Sequence, residues 1–202
     1  MSFVLCASFV VVSILSPLLS GVADYSGNKK RFMQFFCYLG AVSCVTLYWF
    51  NPAWIELSML SVFMASIGFW SSFVFYNAYL PEIAYPEQQD NVSAKGFIYG
   101  YTGSVILMIL SLVLVQTDVF GLLDAAYGSR ITFLLVGIWW LGFAQITYRR
   151  LPNNVYNHKP EKDYIWKGFR ELKKVAKELS DYRELKRFLV SFFFFSVGVQ
   201  TI

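Results

Sequence analysis

The chain has 202 residues, of which 56% are hydrophobic and 19% aromatic against 15% charged, and its formal net charge is +4. With a mean hydropathy of +0.49, this is more apolar material than one soluble core of that size can hide, so the medium for most of the chain is lipid. The excess of positive charge is not a nucleic-acid footprint, because the basic residues border apolar runs instead of forming a stripe on a soluble surface.

The first apolar run starts at Met1 and ends in "LLSGVADYSGNKKR", residues 18 to 31. Gly21, Val22 and Ala23 would suit a signal-peptide cleavage site, but a signal peptide carries its positive charge before the apolar run. In this chain Lys29, Lys30 and Arg31 all follow it. That order predicts a transmembrane segment whose C-terminal end is cytoplasmic, with Met1 outside.

A helix needs about 20 mainly apolar residues to cross the hydrocarbon core. Five segments qualify: 2–23, 32–50, 54–80, 96–116 and 130–148. A sixth apolar run, 188–202, is shorter, so the chain reads as cut off within a span. With Lys29 in the cytoplasm, successive connections alternate, and only Arg130 of the 17 Lys and Arg residues falls outside. The asymmetry sets the orientation and places residues 149–187 in the cytoplasm, where their charge can meet anionic lipid.

The predicted division is therefore 1–148 as five transmembrane helices, 149–187 as a cytoplasmic linker, and 188–202 as the start of another span. The linker opens with "LPNNVYNHKPEKD", rich in Asn and Pro as loops are. After it, Ile165, Phe169, Leu172, Ala176 and Leu179 recur at helical spacing. Two readings stay open for this amphipathic helix: it lies on the membrane surface, or it packs as a solvated linker against other loops.

Within the five spans, no ionisable side chain lies in the middle; Glu56, Glu82, Asp118 and Arg130 all fall near ends. The pattern offers no proton relay. Asn77 is the most polar residue deep in its segment, with Tyr76 beside it, and it serves either interhelical packing or a solute cavity. Tyr101 and Thr102 are further cavity candidates. Pro81 is expected to end the third span, and Gly96, Gly100 and Gly103 form a small-residue face suited to helix packing. Cys6, Cys37 and Cys44 read as small core residues without metal-ligand spacing. No paired carboxylates, nucleophile with base or His-rich cluster points to an enzyme, a cofactor or a metal.

The 18–31 stretch also resembles the loop signature of the major facilitator superfamily, roughly Gly-x-x-x-Asp-Arg-x-Gly-Arg-Arg, with Asp24, Gly27, Lys29 and Lys30 on the pattern. Ser20, Tyr25 and Asn28 depart from it. "FYNAYLPEIA" (75 to 84), "VSAKGFIYGYTGS" (92 to 104), "GIWWLGF" (137 to 143) and "GVQTI" at the end resemble the branch of the autophagy-related vacuole effluxer and its bacterial relatives. Val197 stands where that branch leads us to expect an acidic residue.

The resemblance implies an all-α membrane protein with part of a major facilitator fold: helices two to six, the central linker, and the start of helix seven. Its partners would be the bilayer, an unknown small solute, and helix one and the C-terminal bundle of the same protein. It further implies a secondary transporter in a bacterial inner membrane, moving small solutes such as amino acids by alternating access. Asp24, Gly27, Lys29, Lys30 and Arg31 would form its gating loop, unless these charges serve topology alone. A non-transporting membrane adaptor is the alternative.

Overall fold

The computed structural model describes residues 2–25, 28–51, 54–116, 125–153, 169–170, 173–174 and 182–201, and among them there is no strand. The helices are α1 (Ser2–Tyr25), α2 (Lys29–Thr46), α3 (Ile55–Asn77), the single turn α4 (Leu80–Ile83), α5 (Gln89–Gln116), α6 (Ala125–Arg150) and α7 (Arg183–Thr201). Short 3-10 turns at Leu47–Trp49 and Pro86–Gln88 extend α2 and lead into α5. Five of these helical stretches are long and apolar enough to cross a membrane, which is the number expected.

Four boundaries differ from the expected ones, each for a physical reason. The fifth and sixth helices start at Gln89 and Ala125, well before residues 96 and 130, because hydropathy marks depth in lipid and not the start of hydrogen bonding. The final helix likewise starts at Arg183 instead of 188. The third helix stops at Asn77, not Leu80, and Pro81 sits in the first turn of α4. Proline cannot donate to the carbonyl four residues back and its ring crowds that carbonyl, so the break falls upstream of Pro81 itself. The predicted amphipathic helix of the linker lies mostly outside the described residues.

The helices do not pack in chain order. In the contacts, α3 lies between α1 and α2, α2 lies between α3 and α6, and α5 packs on α6. In lipid there is no hydrophobic drive between helices, so close approach and interhelical hydrogen bonds carry the packing. At the α2–α3 crossing a Cβ on Gly68 would sit 2.5 Å from the Gly40 nitrogen and 2.7 Å from the Phe36 carbonyl oxygen. Backbone therefore lies on backbone there. The Trp140 ring of α6 closes over Gly40, and Gly137 seats against Val45 and Ala41. Between α1 and α3, Ser8 and Ser66 share a hydrogen bond of 2.9 Å; since Ser8 donates to the Leu5 carbonyl, Ser66 is the donor in this pair.

The best-packed region lies at the end of the bundle that bears Lys29, Lys30, Arg31, Arg149 and Arg150, called here the basic end. Leu19, Met33, Cys37, Phe75, Tyr79 and Tyr148 are buried together there, and Phe75 stacks on Phe32 at 5.5 Å between ring centroids. Cys37 belongs to this core, but Cys6 is exposed on α1, so it is not the core residue expected.

Candidate functional site at the basic end of the bundle

The site is built where α2 begins. Three cations in the first turn of a helix oppose its macrodipole, whose N-terminal end is positive, so their partners decide whether the turn is stable. Lys29 Nζ lies 2.6 Å from Glu82 Oε1, with the two side chains 15% and 7% exposed. The same ammonium donates to the Ala78 carbonyl at 3.3 Å. The break between α3 and α4 explains why that carbonyl is available. With the ladder broken, the Glu82 N–H turns back to Tyr79 instead of Ala78, and Lys29 takes the vacated acceptor. Glu82, in the first turn of α4, gains from the dipole of its own short turn as well as from the lysine.

Lys30 reaches the other way. It donates to the Leu151 carbonyl at 3.0 Å and to Asn153 Oδ1 at 2.9 Å, so a cation caps the negative end of α6, as helix termini favour. Two tyrosines tie the same region. Tyr148 donates to the Met33 carbonyl and Tyr79 to the Pro152 carbonyl, each at 3.4 Å. The start of α2, the α3–α4 corner and the end of α6 thus form one fastened plate.

The remaining loop residues are placed as follows. Asp24 lies in the last turn of α1, with its side chain outside the described set; Gly27 lies outside the described residues, and Arg31 is exposed. The cavity candidates do not converge. Tyr76 and Asn77 are exposed at the end of α3, and a Cβ on Gly96 of α5 would lie 2.8 Å from the Tyr76 hydroxyl. Tyr101 and Thr102 are exposed further along α5. At about 100° per residue they point roughly 140° and 240° round from Gly96, so Tyr76 does not face them. The Thr102 hydroxyl donates to its own helix, at the Ile98 carbonyl.

The predicted packing face is partly open within this chain. Gly96 is approached by Tyr76, but Gly100 and Gly103 have no atom within 4 Å of where a Cβ would stand. Among the described residues, no helix covers that part of α5. Nor do the described residues contain a group of three His, Cys, Asp or Glu side chains that could hold a metal.

Compared with known proteins, the chain matches the family described as "Vacuole effluxer Atg22 like" over residues 1–202. It belongs to that family. The Atg22-like chain is 31% identical, over all of its length, to an uncharacterized MFS-type transporter, YxiO, of Bacillus subtilis. It is 24% identical over 91% of its length to autophagy-related protein 22-2 of Aspergillus niger. It spans about half the length of these relatives, 47% and 43% respectively. No solved structure matches it. Family, helical content and apolar spans together make it a multi-pass, all-α membrane protein carrying part of a major facilitator fold.

Sequence reasoning about this Atg22-like chain missed the acidic partner. Glu82 stood out only as a charge near a span end, although its position directly after Pro81 marks the first turn of a new helix. It also missed Gly40, Gly68, Gly128 and Gly137, which neighbouring helices approach closely. Small residues recurring on the core side of the second and third spans were the available signal.

Proposed function

We propose that this chain forms one helical bundle of a secondary transporter that moves small solutes, with amino acids as the first class to try, by alternating access. In this reading residues 1–148 are helices two to six of a major facilitator transporter, 149–187 its central linker and 188–202 the start of helix seven. The basic end faces the cytoplasm of a bacterial inner membrane, because on the predicted topology all but one of the Lys and Arg residues fall on that side. The remaining helices close the cavity and cover the open face of α5.

The observation that carries the mechanism is the plate fastened by Lys29 and Lys30. Alternating access is largely rigid-body rocking of one bundle against another, and rocking needs each bundle to keep its shape while the contacts between bundles break. Lys29 and Lys30 spend their charge within the bundle. Asp24, one turn before the loop, is the residue proposed to latch this bundle to its counterpart.

The test is transport by the full-length gene product in proteoliposomes, using labelled amino acids with and without an imposed proton gradient. Accumulation or efflux above empty vesicles is expected. A folded, reconstituted protein that moves none of the amino acids overturns the substrate class, and one that moves no solute in a wider screen overturns the transporter reading.

A further inference from the structure

The second and sixth helices meet along a seam whose outer side repeats one pattern. On α2, Arg31, Tyr38 and Val42 recur at intervals of seven and four, and on α6, Gly142, Gln145 and Arg149 recur at three and four, so each set occupies one helical face. Five of the six are exposed and Gln145 is partly so. The two faces adjoin, because Gln145 donates to the Tyr38 hydroxyl at 2.9 Å across the seam. At the basic end the register is held by Lys30 on Leu151 and Tyr148 on Met33. That register sets Arg31 and Arg149 on either side of the seam's mouth. Below the Tyr38–Gln145 bridge, Gly142 is exposed, with open space where a Cβ would stand, and Val42 on α2 is exposed as well.

We propose that this seam binds one anionic phospholipid, its phosphate between Arg31 and Arg149 and an acyl chain passing over Gly142 against Val42. Charge complementarity selects the occupant. Two guanidiniums at the mouth of an apolar track, at the level where a spanning helix leaves the hydrocarbon, suit a headgroup that is negative as a whole. Guanidinium forks suit phosphate oxygens in particular. The Tyr38–Gln145 pair lies where the glycerol esters of such a lipid would fall, and supplies polar atoms at that depth. The inference depends on the spans and not on which solute moves.

Full-length protein in a neutral detergent, titrated with phosphatidylglycerol or phosphatidylcholine and observed by native mass spectrometry, tests it. Phosphatidylglycerol should be retained preferentially, and R31Q/R149Q should weaken its retention roughly 30-fold, two basic contacts' worth, with phosphatidylcholine unchanged. Equal retention by wild type and variant overturns the proposal. So does displacement of the lipid by millimolar glycerol 3-phosphate, which would mark a site for a soluble anion. Should R31Q/R149Q fail to fold, judged by thermal unfolding without added lipid, G142W decides: it keeps both charges and fills the open space over Gly142. Lost retention supports the seam, and undiminished retention overturns it.

Discussion

Lys29 and Glu82 are 53 residues apart in the chain, yet their charged atoms lie 2.6 Å apart at the junction of three helices. Each is nearly buried, so removing Lys29 leaves a nearly buried carboxylate without the ammonium beside it, and removing the Glu82 charge takes a counter-ion from Lys29. Lys29→Met and Glu82→Gln are each expected to cost roughly 3 kcal/mol of stability, the lower part of the range for breaking a buried pair. The double variant should cost clearly less than the sum, with a coupling of about 1–2 kcal/mol. Thermal or denaturant unfolding of the four proteins in one detergent measures this, and strictly additive losses would show that the two charges act separately.

Lys30 stabilises a different element, so its loss should have a different signature. Lys30→Met removes the cap on the Leu151 carbonyl, worth about 1 kcal/mol for a surface contact of this kind. Amide hydrogen exchange should then speed up over residues 147–153 and stay unchanged over 78–84. Lys29→Met should do the reverse, because its partners are Ala78 and Glu82. If both variants loosen the same segments equally, the two lysines do not fasten separate corners of the plate.

The α2–α3 crossing leaves no room at Gly68. Gly68→Ala would drive its methyl into the Gly40 backbone, and backbone cannot step aside as a side-chain tip can. The expected loss is about 1–3 kcal/mol, as for overpacking elsewhere. Gly142→Ala, with open space around the new methyl, should change stability by no more than about 0.5 kcal/mol. Unfolding midpoints of the two variants separate the cases.

The spans were legible because lipid imposes a length and a composition that survive without any alignment, and the five apolar helices follow them. Packing order was not legible. Hydropathy says that 32–50 and 54–80 are both spans, but nothing in it says that α3 sits between α1 and α2. Glycine spacing alone does not say which glycines the helices of this chain approach, for the same reason. Gly96, Gly100 and Gly103 make the tidier pattern, while the helices closely approach Gly40, Gly68, Gly128 and Gly137, whose spacing is hidden among larger residues. The loop charges could be placed at a membrane end from sequence. Their partners could not, because Glu82 and Leu151 become neighbours of α2 only once α3 and α6 flank it.

Asp24 separates a gate from a topology signal. It sits in the last turn of α1, one turn from the plate that Lys29 and Lys30 fasten. Under the proposed mechanism its carboxylate favours one of two access states. A latch of one to two kcal/mol shifts such a ratio about 5- to 30-fold. Asp24→Asn keeps the shape, removes the charge, and leaves every Lys and Arg in place to set orientation. The expected outcome is a protein that inserts normally and unfolds within about 0.5 kcal/mol of wild type. Its transport should slow on the order of tenfold, with thiol accessibility at an engineered cavity cysteine shifted towards one side of the membrane. Normal transport with unchanged accessibility would leave the loop a topological determinant only. Slow transport with a large loss of stability would assign Asp24 to the fold of the bundle instead of to its gate.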